Sequence, residues 1–368
     1  MVRLRYAALL GLLALFGAGC AGPSAKVPDL PDEEVKAEQH RQQLTASKSH
    51  FAALARLNEV AFRIKVANRE YCEYVEPQIG IYAATTHSLP RKFGSAAGEA
   101  LGVDSTFATV LTLAEGSPAA VAGIKQGDRI LTFNNEAVPA KKTSEWMERW
   151  LRAHGDAPVT VLVKRGEEER RVTLYPVMTC AIPVVLSSDE NTNAFTDYRK
   201  IVVHAGILRI AQSDAEVAAV VGHELAHVNM GHYGKRLQNM VLGAVGGAAI
   251  DGGLAMGGIY SGGVFRRHLG LAGARMFSVG FEREADYVGA YYAARAGYDI
   301  SAAARLWRAV AQENPDSLHA AKTHPPTPAR FVQMQKTIAE IEDKKRRHVA
   351  LEPDLKPAQI EPAAAAQY

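Results

Sequence analysis

The sequence has little net charge and no concentration of basic residues. Its 42 lysines and arginines nearly balance 39 acidic residues, which leaves a formal net charge of +3. No basic stripe with interleaved aromatic residues is visible, so we expect no nucleic-acid partner. Hydrophobic residues make up 48% of the chain and charged residues 22%, a balance typical of a globular protein rather than a disordered one. A chain of 368 residues is long enough for two ordinary domains.

The sequence also lacks an apolar run of the roughly 20 residues that a membrane-spanning helix requires. Its N-terminal apolar segment, Ala7–Phe16, is too short for that purpose and follows the basic residues Arg3 and Arg5. Small residues then lead to Cys20. This order is typical of a secretory signal, and the final cysteine makes it resemble a bacterial lipoprotein signal, in which Cys20 becomes the lipidated first residue. Gly17 stands where such signals usually have a leucine-type residue, and an ordinary cleaved signal is the alternative.

Cysteine is scarce, with three residues in the whole chain. Lipidation of Cys20 would anchor the protein to a membrane of the cell envelope, facing the periplasm. Ala21 is not the aspartate that retains some lipoproteins at the inner membrane, so we expect the outer membrane. Cys72 and Cys180 remain, an even number in an oxidising compartment. We expect a disulfide between them, with two buried free thiols as the alternative.

The composition divides the chain into segments. Apolar residues recur at helical spacing after residue 32, and β-rich sequence begins near residue 94. The predicted order is a signal over 1–20, a polar tether over 21–31, an N-terminal helical part over 32–93, a β-rich module over 94–178, a main domain over 179–345 and an Ala/Pro-rich tail over 346–368.

The β-rich module carries a distinctive core sequence. Residues 116–124 are GSPAAVAGI, followed by Gly127 and Asp128, and this run resembles the core of a bacterial PDZ domain. Such domains bind an extended peptide or a C-terminus by strand addition at an exposed sheet edge. The resemblance implies that the amphipathic helix predicted over 143–153 lines the peptide groove. It also implies a carboxylate-binding loop near residues 101–103.

The main domain contains an H-E-x-x-H motif, formed by His223, Glu224 and His227. Ser213, with Glu216 three residues later, predicts a capping box at the start of the helix that carries it. At positions i and i+4 the two imidazoles share one helical face, so both can reach one zinc ion. Glu224 is close enough to act as general base on the attacking water.

A catalytic zinc needs a third protein ligand, and the candidate is Glu282 in the sequence FEREAD. Glu282 and Asp286 share a helical face, so Asp286 could accept the free N–H of a liganding histidine. Glu284 lies two residues from Glu282 and is expected to point elsewhere, in a solvated or structural role.

This pattern, H-E-x-x-H followed some fifty residues later by E-x-x-A-D, resembles the HtpX and CAAX-prenyl-protease family of zinc endopeptidases. The resemblance covers roughly 32–72 and 179–338, and includes the sequence NAF at 193–195. It implies one zinc ion per chain and places His324 and Arg330 at the active site, where His324 approaches the metal or steadies the transition state and Arg330 orients neighbouring groups. Val279 departs from the family, which often has arginine there.

The segment Met240–Gly280 is apolar, rich in glycine and interrupted by Asp251. Glycine at this density argues against one rigid helix. We therefore expect a mobile or membrane-skimming segment beside the active site, rather than a transmembrane hairpin. The strand Lys200–His204 is expected to present a sheet edge that aligns substrate. No role is expected for His204 or His232.

Together these features predict an α+β fold, in which a mainly helical zincin-type metallopeptidase domain with a small sheet is interrupted by a PDZ-like domain. The predicted function is zinc-dependent endoproteolysis of misfolded or misassembled envelope proteins. One alternative is a periplasmic chaperone or assembly factor with a mostly latent protease site. Another is a structural zinc lipoprotein, against which Glu224 argues, because a structural site needs no general base. The expected partners are protein substrates, a peptide in the PDZ-like groove and a membrane reached through the lipid anchor.

Overall fold

The structure is a computed structural model that describes residues 24–89, 96–197, 199–275, 278–313 and 328–356. It divides into two compact units at Gln42/Gln43. In the first unit, residues 24–31 form no helix or strand and lead into a solvated helical segment. The second unit begins within the first helix and contains the other described helices and strands.

The helices are α1 (Asp32–Ala67), α2 (Ala96–Leu101), α3 (Pro118–Val121), α4 (Thr143–His154), α5 (Ala205–Ile210), α6 (Asp214–Asn229), α7 (His232–Met256), α8 (Val264–Arg275), α9 (Ser278–Arg295), α10 (Ala303–Glu313) and α11 (Pro328–Arg346). The strands are β1 (Val75–Gln78), β2 (Ile81–Ala84), β3 (Ala108–Leu113), β4 (Arg129–Phe133), β5 (Glu136–Ala137), β6 (Val159–Arg165), β7 (Glu168–Leu174), β8 (Val177–Cys180), β9 (Val184–Ser187), β10 (Ala194–Thr196) and β11 (Ile201–His204). The predicted α+β class, mainly helical with small sheets, is confirmed.

The PDZ-like module is a sheet with strand order β2-β3-β4-β6-β7, to which β5 adds beside β4. Its own core includes Phe133, Trp150 and Leu174, and α4 packs on the sheet through Met147 and Trp150. The sequence places the start of this module at residue 94, but the sheet already includes β2 at Ile81–Ala84. A four-residue strand has too few positions to show a clear alternation, so local sequence does not reveal it.

The main domain is built around α6 and α9, which pack side by side against the second half of α1. Leu57, Val60 and Ile64 of α1 are fully buried in this core. A three-stranded sheet of order β10-β11-β9 covers one side. The prediction that Lys200–His204 presents a sheet edge is wrong, because β11 lies in the middle of the sheet and pairs with both neighbours. Its four residues are all buried, as expected of a central strand.

The start of α6 differs from the predicted capping box. Ser213 occupies the N-cap position, but its side chain makes no capping hydrogen bond. In a capping box Glu216 would accept from the backbone N–H of Ser213. Its Oε2 instead accepts a hydrogen bond from Gln212 N, one residue earlier, at 2.6 Å, and the carboxylate forms an ion pair with Arg305. The tertiary partner Arg305, which local sequence does not reveal, determines where this carboxylate goes.

The glycine-rich segment forms two helices, α7 and α8, which pack as an antiparallel hairpin. The expectation that glycine would prevent a rigid helix is wrong for residues 240–256. A Cβ on Gly243 would lie 2.1 Å from Leu269 O, and one on Gly247 would lie 2.3 Å from Phe265 O. These glycines therefore permit direct contact between the helix backbones, as small residues do in membrane helix pairs. Within the described residues, α7 is the one helix long and apolar enough to cross a membrane by length and composition.

Candidate metal centre

The H-E-x-x-H motif lies in the last turns of α6, inside the core. Twelve of the sixteen residues of this helix are buried, because α9, α1 and the sheet surround it. His223 is 2% exposed and Glu224 1%. The Nε2 atoms of His223 and His227 face each other at 3.1 Å. Two imidazoles this close, in a core this apolar, need a shared partner to offset the burial of their polar atoms.

Helix α9 brings Glu282 to the same point. Its carboxylate lies 3.5 Å from His223 Nε2 through Oε2 and 3.5 Å from His227 Nε2 through Oε1. The three side chains are all buried, and within the described part of the chain they form the one His/Cys/Asp/Glu group with metal-ligand proximity. A tetrahedral zinc with bonds of about 2.0–2.2 Å needs ligand atoms roughly 3.3 Å apart. The Nε2–Nε2 spacing of 3.1 Å and the two Nε2–oxygen spacings of 3.5 Å, one to each carboxylate oxygen of Glu282, lie close to that value. The three side chains therefore fit as protein ligands of such a site.

A pair of glycines lets α6 and α9 approach closely enough for this geometry. A Cβ on Gly222 would lie 2.6 Å from Gly289 O, and a Cβ on Gly289 would lie 2.6 Å from His223 N. Both obstructing atoms belong to backbone and cannot rotate away. The contact also lies directly beside His223, so the spacing of the two helices and the spacing of the three candidate ligands are linked.

Asp286 and Arg330 hold the first imidazole in place. Asp286 Oδ1 lies 3.0 Å from His223 Nδ1, and Arg330 donates to both oxygens of that carboxylate at 2.6 and 2.8 Å. Burial disfavours the charged carboxyl, but Arg330 and then His223 hold the pKa of Asp286 below its usual range. Arg330 also lies 3.4 Å from Glu282 Oε2 and stacks over Trp307. The sequence predicts this position for Asp286, and the structure brings the two residues together.

The electrostatic field at this point attracts positive charge. Burial alone would lower the pKa of His223, but the hydrogen bonds and charges of Asp286 and Glu282 outweigh it and raise that pKa to about 9. A field that draws a proton to the ring draws a metal cation as well, and the two compete for the same nitrogen. The residues present thus fit a divalent zinc ion in charge as well as in spacing.

The second imidazole is held by residues that the sequence does not reveal. His232 Nδ1 lies 2.8 Å from His227 Nδ1, and His232 Nε2 lies 2.7 Å from Glu284 Oε2. If His227 Nε2 keeps its lone pair for a metal, its Nδ1–H donates to His232, whose Nε2–H then donates to Glu284. This hydrogen bond is the main cause that lowers the pKa of Glu284. His232 is 1% exposed and stacks on Phe281.

His232, for which no role is expected, thus contacts a candidate ligand, and Glu284 takes the structural one of the two positions expected for it. The chain reverses at Gly231, whose φ of +63° is left-handed and favours glycine. This turn brings His232 back beside His227. A glycine between two histidines at the end of a helix is the one local signal, and it does not by itself indicate which side chains meet.

Glu224 is buried one residue from His223 and lies close enough to Arg330 to favour its charge. His324 and Cys20 lie outside the described residues. His204 is buried and packs its ring against Phe195, at the sheet and away from the three candidate ligands.

Cys72 and Cys180 are joined by a disulfide with an S–S distance of 1.99 Å and a Cα–Cα distance of 5.5 Å. The bond lies at the root of the PDZ-like module, where β1 pairs with β8 and Val75 faces Cys180. Asn229, the last residue of α6, donates to Cys72 Sγ at 3.4 Å and to Tyr292 Oη at 3.1 Å. The disulfide thus contacts the end of the helix that carries the two histidines.

Comparison with known proteins matches both modules. Residues 179–338 match the model of peptidase family M48, and residues 109–165 match a PDZ domain model. A curated relative from Vibrio cholerae serotype O1 (strain ATCC 39315 / El Tor Inaba N16961), named "Putative beta-barrel assembly-enhancing protease", is 30% identical over 132 residues. That stretch covers 34% of this chain and 27% of the relative.

Solved structures resemble parts of the chain at low similarity. The HtrA-type protease AlgW with decapeptide is 21% identical, with a TM-score of 0.23, over 28% of this chain and 30% of that chain. The HtrA3 PDZ domain bound to a phage-derived ligand is also 21% identical, with a TM-score of 0.23, over 29% of this chain and 92% of that domain. Two segments of the chain are thus similar to domains of known families, residues 179–338 to peptidase family M48 and residues 109–165 to the PDZ domain.

Proposed function

We propose that this protein is a zinc-dependent endopeptidase of the bacterial cell envelope that cleaves misfolded or misassembled envelope proteins. The observation that carries the proposal is the buried triangle of His223, His227 and Glu282, with the carboxylate of Glu224 beside it. A structural zinc site has no need of a neighbouring general base. The match to peptidase family M48 supports the same conclusion.

In this proposal His223, His227 and Glu282 would hold one zinc ion. When bound, zinc supplies a Lewis acid that polarises the scissile carbonyl and acidifies water. Glu224 takes the proton of the attacking water and returns it to the leaving amine. Arg330 keeps Asp286 ionised and in place, so that Asp286 holds the His223 ring in one orientation. His324 is proposed at the same site by resemblance.

Substrate alignment is proposed at β10 instead of the central strand β11. β10 is an outer strand of its sheet, and Ala194 belongs to the same core cluster as Val220 and Val221 of α6. An extended chain added at the outer edge of β10 would therefore run beside the H-E-x-x-H helix. Strand addition supplies backbone hydrogen bonds that do not depend on the substrate sequence, which suits an enzyme that acts on unfolded segments.

The PDZ domain is proposed to hold a peptide or a C-terminus in a cavity of about 400 Å³. The outermost strand β2 and the helix α4 both line it, through Ile81, Tyr82 and Ser144. Strand β9 of the peptidase sheet and helix α1 form the opposite walls. The expected loop at residues 101–103 does not line this cavity. A peptide bound there would lie between the two domains.

The proposed location rests on the N-terminal residues and on the relative. Cys20 is proposed as the lipidated residue that ties the chain to a membrane of the envelope, on the periplasmic side and at the outer membrane. The name of the Vibrio cholerae relative refers to β-barrel assembly, and that process suggests outer-membrane proteins in faulty assembly as substrates.

The test is the substitution Glu224→Gln in the full chain. It removes the general base without touching a proposed ligand, so we expect full zinc content and a loss of casein cleavage of roughly 10²–10⁴-fold. Glu168→Gln is the matched control, because this carboxylate is 73% exposed and lies in the PDZ domain. Zinc is measured by elemental analysis and cleavage by release of labelled peptides.

Two outcomes would overturn the proposal. Cleavage by Glu224→Gln at the unsubstituted rate would remove Glu224 from the mechanism. A zinc-loaded unsubstituted protein that suppresses aggregation of unfolded proteins but cleaves none would indicate an assembly factor instead of a protease.

A further inference from the structure

The hairpin formed by α7 and α8, residues 232–275, exposes apolar side chains on several sides. In the 18-residue apolar window of α7, 6% of the residues are buried. Met256 is 89% exposed and Tyr260 is 92% exposed, at the turn between the helices. Further exposed apolar residues are Leu237, Val241, Leu242, Val245, Ile250, Ile259, Val264, Phe265, Leu269 and Leu271. A soluble monomer rarely exposes so much contiguous apolar surface without a partner.

The one charged residue between Leu237 and Phe265 is Asp251, and its carboxylate is hydrogen-bonded within the hairpin. Asp251 accepts hydrogen bonds from Ser261 Oγ at 2.5 Å and Arg266 N at 2.9 Å, with a longer bond from Phe265 N at 3.3 Å. Ser261 in the turn between the helices and the first turn of α8 therefore supply the donors that water would otherwise provide. An apolar environment around the tip would leave this carboxylate with its partners.

Two basic residues of the hairpin, Arg266 and Arg267, lie at a known distance from its tip. Gly247 of α7 faces Phe265 and Arg266 of α8, so Arg266 and Arg267 lie at the level of Gly247. From there to Met256 the helix rises nine residues, or about 14 Å. One leaflet of a bilayer has a hydrocarbon thickness of roughly 15 Å, half of the whole core. The tip, residues 248–264, thus matches one leaflet in height.

We propose that this tip inserts into one leaflet of an anionic bilayer, with Arg266 and Arg267 among the phosphate headgroups. Lysine and arginine beside an apolar helical surface are typical of elements that lie in a membrane interface. A second copy of the chain fits less well, because the hairpin has no acidic residue besides Asp251 to pair with two arginines. This attachment is separate from the lipid proposed at Cys20.

The insertion would also orient the peptidase domain. Helix α7 begins at His232, which contacts His227. Fifteen residues separate His232 from Gly247, so the metal centre would stand up to about 22 Å from the headgroups. Unfolded chains close to the membrane surface would be within its reach.

The test measures immersion depth at one labelled position in the full chain on vesicles. A nitroxide is attached at Ile259→Cys in a Cys20→Ala background, where the introduced thiol is the one outside the Cys72–Cys180 disulfide. Vesicles contain phosphatidylglycerol with phosphatidylethanolamine, or phosphatidylcholine alone. Collision with oxygen and with a water-soluble nickel chelate reports the environment of the label, however the N-terminus is held. The matched control is a label at Val121→Cys, which is 79% exposed in the PDZ domain.

We expect the label at residue 259 to be oxygen-accessible and protected from nickel on anionic vesicles, while the label at residue 121 stays nickel-accessible. An arginine near an anionic surface favours binding by roughly fivefold, so reversing both charges with Arg266→Glu and Arg267→Glu should lower the affinity for anionic vesicles by at least about 25-fold. Nickel access at residue 259 on anionic vesicles would overturn the proposal. Protection of this label from nickel that is unchanged by the charge reversal would also overturn it. Protection with spin–spin broadening in the absence of lipid would overturn it as well, because it would indicate a second copy of the chain.

Discussion

His223 and His227 are each held at both ring nitrogens. The Nε2 atoms converge with Glu282, while Asp286 takes the Nδ1 side of His223 and His232 takes that of His227. Partners on the far nitrogen fix both the tautomer and the plane of an imidazole. The rings are therefore aimed at one point by hydrogen bonds within the protein.

The first prediction concerns His232. We expect His232→Phe, which keeps a ring against Phe281 but removes the acceptor for His227 Nδ1–H, to lower zinc affinity by about 10–100-fold. Competition with a chromophoric zinc chelator measures the affinity. His87→Phe, at an exposed position in the PDZ domain, is the control and should leave zinc affinity unchanged. Equal affinities for the two variants would mean that His232 does not orient the site.

At the residue scale, the sequence predicts the contacts between side chains on one helix, because helical spacing determines them. His223, Glu224 and His227 lie within one turn and a half of one helix, and Glu282 and Asp286 lie one turn apart on another. The contact between His232 and Glu284 is not predicted in this way, because it depends on the turn at Gly231 and on the packing of α7 against α9. No spacing rule within one helix describes such a contact.

The elements that carry the site are spaced by glycine. Gly222 of α6 and Gly289 of α9 place one helix backbone against the other, and the hairpin uses Gly243 and Gly247 in the same way. In the hairpin, the tertiary contact outweighs the cost of about 1 kcal/mol that each glycine imposes on an isolated helix. For this reason the glycine-rich segment forms the two helices α7 and α8, although its composition alone argues against a rigid helix.

The second prediction tests the glycine contact between the metal-bearing helices. In Gly289→Ala the new methyl group would meet the backbone of His223. We expect it to force the helices apart, to destabilise the protein by about 1–3 kcal/mol and to reduce zinc affinity. Gly280→Ala on the same helix is the control, because a Cβ there meets nothing within 4 Å, and it should stabilise by about 0.5–1 kcal/mol. Chemical denaturation gives the stabilities, and a Gly289→Ala protein with normal zinc affinity would contradict the argument.

Sequence periodicity predicts most of these elements but not their neighbours in space. The helix predicted over 143–153 is α4, and the β-rich module predicted over 94–178 contains strands β3 to β7. Periodicity does not predict the order of the strands, in which β11 is central and β10 lies at the edge. Both are short and apolar, so their sequences do not distinguish an inner strand from an outer one.

At the scale of the whole molecule, the PDZ domain is inserted into the peptidase domain through a narrow root. The two chain passages are paired as β1 and β8, with Gln78 opposite Val177 at one end. The disulfide closes the other end beside Asn229. The sequence predicts the insertion because composition changes at both borders, and it allows the disulfide as one of two alternatives. It does not predict the pairing of β1 with β8, which joins segments about a hundred residues apart.

The last prediction concerns the Cys72–Cys180 disulfide, which closes a loop with a sequence separation of 108. In the chain-entropy model a bond across a loop this long stabilises the folded state by about 4–5 kcal/mol. We expect the double substitution Cys72→Ala and Cys180→Ala to lower the denaturation midpoint, and reduction of the unsubstituted protein to have a similar effect. Cys20→Ala is the control, because Cys20 takes no part in this bond, and it should leave the midpoint unchanged. Mass spectrometry of non-reduced digests should find Cys72 and Cys180 in one linked peptide in protein taken from the envelope. Two free thiols, or a midpoint that does not respond to reduction, would mean that the β1–β8 ladder and side-chain packing hold the root of the PDZ domain without a covalent link.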